Sequence, residues 1–275
     1  MDLEEALPKV RSTTTEDALS SNQEEADTKV VLYCRHALES YPEKKVIVRS
    51  PSGDMDILVV LLSVIERQDQ VYLDFGTSLH RKGINLAQVE MAVEKKRCLI
   101  GLHAFTGNDY VSSFFKKGKA LCWKVLQQNE RFVMTFTLLG SSWQIEERTI
   151  DDLEEYVCLL YGCRQKKVNE ARKHLFDRKY LNKEKIIDIS LLPPCQSALK
   201  LHILGANVVA RIWNCAGESM VEMPDLTEHG WHSDLTTKWI EQAFPNEVEE
   251  ILLQCDDEMS FEEEEESDDD SSIED

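Results

Sequence analysis

Apolar residues recur at helical spacing through Val30, Cys34, Ala37, Leu38 and Tyr41, which predicts an amphipathic helix ended by Pro42. Ser21 with Glu24, or Asn22 with Glu25, fits the capping box that opens such a helix. Val46–Val48 then reads as a short strand. The turn Pro51-Ser52-Gly53 leads into the apolar run Ile57–Ile65, long enough for a buried helix, and Val71–Phe75 reads as a second strand. From Ile84 to Phe105 the pattern is mostly helical, and Thr106-Gly107-Asn108 stops it. Lys116–Gln128, Phe132–Leu139, Ile150–Tyr161, Val168–Phe176 and Gln196–Trp213 all read as helices, with Pro193-Pro194 as punctuation. The region of Trp231 and Trp239 reads as irregular structure packed on the body. Strand and helix alternate first and helices alone follow. The expected fold class is therefore α/β, a partial parallel-sheet layer followed by a mainly helical extension.

Composition changes this picture at the ends. The chain of 275 residues is long enough for one large or two modest domains, each with a core of its own. The formal charge is −20, but the thirteen acids among the last twenty residues account for all but −7 of it. That tail, 256–275, cannot bury enough apolar surface to offset its ordering entropy and self-repulsion, so it is expected to be disordered. It reads either as a partner-binding, nucleic-acid-mimicking tail or as a solubilising end. Residues 1–20, polar and rich in Ser and Thr, are expected to be disordered as well.

The body is also uneven. Nine basic residues stand against three acids from Arg81 to Lys124, and the same ratio recurs from Arg164 to Lys185. Such blocks are commonly solvated helix faces, yet they are also what a binder of phosphate backbones needs. Eight scattered cysteines without a Cys-x-x-Cys pair point to buried thiols in a reducing compartment. There is no apolar run of membrane-spanning length and no charged-then-apolar leader, so an intracellular protein with no membrane partner is expected.

Candidate chemistry lies at element boundaries. Glu24, Glu25 and Asp27 open the first helix, Asp54 and Asp56 follow the first strand, and Asp109 follows the Thr106-Gly107-Asn108 stop. In a parallel α/β layer, functional groups collect at the carboxyl ends of strands. If the three places meet there, their carboxylates repel unless a divalent cation neutralises them. Oxygen ligands with no His or Cys nearby select Mg2+ or Mn2+ over zinc. Glu25 and Asp27 point about 200° apart within a regular helix, so they share a metal only if Glu25 lies at or before the first turn. Each acid also has a bland reading, since acids in a first turn suit the helix dipole and Asp109 suits a turn.

The order Glu-Ala-Asp, then Gly-Asp-Met-Asp-Ile-Leu, then Thr-Gly-Asn-Asp-Tyr, followed by the basic stretch FFKKGKALCWKVL, resembles the flap endonuclease branch of the PIN-like nucleases. The resemblance covers roughly residues 21–140. It implies that Glu25, Asp27, Asp54, Asp56 and Asp109 are catalytic metal ligands for Mg2+ or Mn2+, and that Lys116, Lys117, Gly118, Lys119 and Lys124 belong to a helix–turn–helix that grips nucleic acid, DNA favoured. The implied activity is phosphodiester hydrolysis in a nuclear protein. The βαβ half that supplies two further Asp ligands in those nucleases has no counterpart in the sequence, Asp27 replaces a Glu, and the usual Gly-x-Gly is reduced to Gly118. The activity is therefore expected to be weak or incomplete, with a catalytically inactive interaction module as the alternative. A half-sheet should also expose an apolar strand edge for a protein partner to cover.

The stretches His103–Asp109 and His229–Trp231 are similar to segments of a group of animal proteins associated with mobile elements, and this second likeness implies nothing about chemistry. His229 and His232 invite a metal reading, but no Cys or third His stands near them in sequence. The layout expected is a disordered 1–20, a PIN-like metal domain over 21–140, a helical extension over 141–255 and the acidic tail 256–275.

Overall fold

A computed structural model describes residues 19–51, 55–77, 81–180 and 188–231. Asp54, His232, Trp239, most of the expected disordered 1–20 and the tail 256–275 lie outside the described residues. Helix α1 spans Ala26–Ser40 and turns Val31, Leu32, Cys34 and Leu38 inward. Strand β1 (Val46–Ser50), helix α2 (Met55–Val64) and strand β2 (Val71–Phe75) form a β-α-β unit with the strands parallel, Val46 opposite Val71. Apolar on nearly every side, α2 is buried as such a helix must be, packing against α1 and three later helices.

The sheet is mixed, not purely parallel. Strand β3 (Lys82–Asn85) pairs antiparallel with β2, so the expectation of mostly helix from Ile84 to Phe105 is wrong at its start. The segment Lys-Gly-Ile-Asn carries no strand-like alternation. It is fixed instead by cross-strand partners, Ile84 opposite Leu73, and by Arg81 gripping Asp74 with two hydrogen bonds of 2.8 and 2.6 Å. Helical structure begins at α3 (Val93–Arg97) and α4 (Leu99–Phe105). Among the described residues the strand order β1-β2-β3 leaves β1 at an edge, with Ile47 70% exposed.

The start of α1 also corrects the sequence reading. Neither Ser21 nor Asn22 caps it, and Glu25 is the N-cap residue, extended at φ −64° and ψ 134°, without a side-chain capping bond. Ser21 Oγ accepts instead from the Gln23 N–H at 3.1 Å. The Asn22 side chain pairs with Val221, donating to its carbonyl at 2.7 Å and accepting from its N–H at 2.9 Å. Two tertiary hydrogen bonds outweigh one local cap.

Helices α5 (Lys119–Gln128), α6 (Phe132–Leu138), α7 (Glu147–Leu160), α8 (Val168–Tyr180) and α9 (Gln196–Asn214) follow the predicted order. Their bounds shift by a few residues, as helix ends do when caps and tertiary contacts decide them. The last helix returns to the first half of the chain and packs along α4, so one apolar core runs from Val31 to Ala216. Two glycines make the close approaches. A Cβ on Gly101 in α4 would stand 2.0 Å from the Phe136 carbonyl oxygen of α6, and one on Gly140 would stand 2.5 Å from Ala210 of α9. Gly140 is also left-handed at φ 85°, a conformation side chains disfavour. Seven described cysteines are free thiols, six of them buried.

Candidate functional site

Asp56 lies in the first turn of α2, beyond the carboxyl end of β1. Its Oδ1 meets His103 Nε2 at 2.5 Å. His103 comes from α4, is 8% exposed, and stands with its ring centroid 5.6 Å from that of Trp213 in α9. Trp213 in turn donates its indole N–H to Glu25 Oε2 at 2.9 Å. A continuous run Asp56–His103–Trp213–Glu25 therefore links α2, α4, α9 and the start of α1. Glu25 is at the N-cap, so the geometric condition for joint action with Asp27 in the first turn of α1 is met.

Asp109 is exposed in the loop after α4, where Asn108 Oδ1 accepts from the Tyr110 and Val111 N–H groups at 2.8 and 3.1 Å. Tyr110 joins Asp109 electrostatically to the α1 acids. Partial burial, a hydrogen bond to Glu25 and the charges of Glu25, Asp109 and Glu24 push its phenol up to about 12. Among the described residues no group of three or more His, Cys, Asp or Glu side chains is arranged to hold a metal ion. Asp54, the remaining expected ligand, lies outside them. His103, which from the sequence could either face the cleft or hydrogen-bond within the core, stands beside Asp56.

The basic stretch divides by role. Lys119 Nζ donates to the Gly107 carbonyl at 2.5 Å, the His103 carbonyl at 3.1 Å and Thr106 Oγ1 at 3.3 Å, closing the C-terminus of α4. Burial holds its pKa below the ordinary lysine value, opposed by the Asp56 charge. Its stem is exposed but its ammonium faces inward. Lys117 lies over the Tyr161 ring at 4.7 Å, and burial and then Lys179 lower its pKa. Lys116 is exposed over Phe115 at 4.9 Å and adopts a left-handed φ of 56°, which a β-carbon disfavours. Gly118 caps α5 with ordinary extended angles, and Lys124 is exposed on α5. His229 is buried in the short helical turn Leu226–His229.

Three residues central to this geometry stand out less in the sequence than the acids do. His103 carried only an ambiguous signal, a histidine in a buried-looking helix end. Trp213 stood only as the end of the expected helix Gln196–Trp213, and Tyr110 only as the last residue of the Thr-Gly-Asn-Asp-Tyr motif. Comparison of the chain with protein-family models, with curated proteins and with solved structures found no match in any of the three.

Proposed function

We propose that the acidic end of the β1–α2 connection is a divalent-cation site of the flap-endonuclease-like kind, serving phosphodiester hydrolysis on nucleic acid, DNA favoured, and weak or incomplete in this chain. The supporting observation is the run from Asp56 through His103 and Trp213 to Glu25, which orients two carboxylates from separate helices. Nitrogen donors that fix carboxylates in this way are the usual outer partners of metal ligands. The oxygen donors suit Mg2+ or Mn2+ in kind. In number the described residues fall short, and the reading requires Asp54. A cation bound there supplies Lewis acidity to a phosphate oxygen. Exposed Lys116 and Lys124 supply phosphate contacts whose strength falls with salt.

Calorimetric titration with Mn2+ and nicking of flap and duplex DNA test the reading, in the full chain and in Asp56→Asn. Binding and nicking that are both lost in the variant support it. The absence of any Mn2+ heat and of nicking in the unaltered chain replaces it with the non-catalytic interaction module. That second reading draws on the edge strand β1, whose exposed Ile47 offers a partner strand an apolar contact.

A further inference from the structure

A cavity of about 410 Å³ shares Glu25 and Trp213 with the acidic run and extends away from Asp56 and His103, neither of which lines it. The approach to α1, the Tyr110 loop, the last turns of α9 and the segment 221–231 enclose it. Its walls carry two indoles, Trp213 and Trp231, and the phenol of Tyr110, with Val208, Val209 and Ile212 adding aliphatic surface. Its charged lining consists of Glu24 and Glu25, and among the described residues no Lys or Arg lines it.

Two polar atoms on the lining residues are unsatisfied. Gln23 is 8% exposed, and its amide N–H₂ donates to the Cys215 carbonyl at 2.9 Å and the Glu218 carbonyl at 3.2 Å, which fixes the side chain. Its Oε1 is buried with no partner among the described residues, and so is the Trp231 indole N–H. Buried polar atoms without partners are rare in native folds and call for an explanation.

We propose that this cavity binds an organic cation that carries N–H donors on an apolar stem, the chemistry of a lysine or arginine side chain or of a free alkylamine. The carboxylates of Glu24 and Glu25 offset the charge, and Gln23 Oε1 accepts an N–H that neither acid reaches. Indole and phenol faces attract a cation through their quadrupoles, indole most strongly. The stem occupies the aliphatic side of the cavity. An anion is excluded by the two carboxylates, and a purely apolar ligand leaves Gln23 Oε1 as it is.

Calorimetry on the full chain tests the site, with chelator present throughout so that the outcome does not depend on divalent cations. The probes are n-butylammonium, n-butylguanidinium, the neutral 1-pentanol and the capped tripeptide Ac-Ala-Lys-Ala-NH2. At least one cation should bind about ten-fold or more tighter than pentanol, because one charge-assisted hydrogen bond is worth that factor. Glu24→Gln, at an exposed position, should weaken cation binding several-fold and leave pentanol unchanged. Trp231→Phe should weaken the cations while removing only the N–H and part of the ring. A tripeptide tighter than butylammonium identifies a side chain on a polypeptide as the natural ligand, and the reverse order identifies a free amine. Equal affinity for pentanol and butylammonium overturns the proposal, as does Glu24→Gln binding cations as tightly as the unaltered chain, or no heat with any cation.

Discussion

Trp213 hands its indole N–H to Glu25 Oε2 at 2.9 Å across 188 residues of chain. The indole is 1% exposed, so the bond forms at the edge of the core while Glu25 stays half-buried. Trp213→Phe keeps most of the ring and removes the donor. It should destabilise the fold by about 1–3 kcal/mol, the range for losing one hydrogen bond to a charged acceptor. Urea denaturation of the two proteins checks this, and an unchanged midpoint would mean that water replaces the indole without loss.

Glu25 also controls the Tyr110 phenol. Glu25→Gln should lower the phenol pKa from about 12 toward its ordinary value of 10.0, because it removes one of the nearby negative charges. The sign for stability follows from linkage. A phenol held protonated in the folded state stabilises the fold below its unfolded value and loses that contribution as pH rises through 10 toward 12. Spectroscopic titration of the phenolate, with Tyr110→Phe as the blank, reads the shift.

Lys119 should behave as a helix stop, not as a nucleic-acid contact. Lys119→Met keeps the stem and removes three donated bonds at the end of α4, and should cost about 1–2 kcal/mol in stability. Lys124→Glu, at an exposed site, should leave the melting temperature nearly unchanged and lower any affinity for DNA most at low salt. Thermal melts and binding isotherms at two salt concentrations separate the two lysines.

His202 supplies a pH dependence. Its Nε2–H donates to the Phe105 carbonyl at 2.8 Å, and its ring packs against Phe105 and Phe114, at centroid distances of 5.1 and 4.8 Å. Burial lowers its pKa from the ordinary 6.5. The unfolded chain then binds a proton that the folded chain refuses, so stability is full above 6.5 and falls as pH drops below it. His202→Gln, which keeps a donor, should flatten the melting temperature between about pH 7 and pH 5 relative to the unaltered chain.

Gly140→Ala should destabilise by about 2 kcal/mol or more, because the new Cβ meets Ala210 at 2.5 Å in a left-handed backbone. The same turn is held by Asn207, whose Oδ1 accepts from the Gly140 N–H at 2.8 Å and whose Nδ2 donates to the Ser142 and Trp143 carbonyls, each at 2.9 Å. Asn207 is 1% exposed, so Asn207→Leu should cost a similar amount by orphaning these groups. Chemical denaturation checks both.

What the sequence made legible was whatever rests on periodicity. Helices α5, α6, α7 and α9 follow from apolar spacing, because each has inward-facing apolar positions and an Asn or Gly just beyond its end. Strand β3 was hidden because Lys-Gly-Ile-Asn has no pattern of its own, and its pairing is decided by Leu73 and Asp74 on β2, the latter gripped by Arg81 just before β3. The same reason hid the true start of α1, where Asn22 serves Val221. At the candidate site, Asp56 and Glu25 were legible as acids at element ends. Their partners His103 and Trp213 were not, since the contacts span 47 and 188 residues and leave no local mark.

The return of α9 to the beginning of the chain has a consequence for synthesis. During translation α1 emerges well before α9, and the groups that lock its approach, Cys215, Glu218 and Val221 together with the Trp213 indole, emerge almost two hundred residues later. At ribosomal speeds of about 5–20 residues per second that is a wait of roughly 10–40 s. Through it the Gln23 amide has only water or an attendant chaperone for company, while Glu25 can meet Tyr110 but not yet the indole. The acidic end of the fold is thus among the earliest parts to be made and among the last to close.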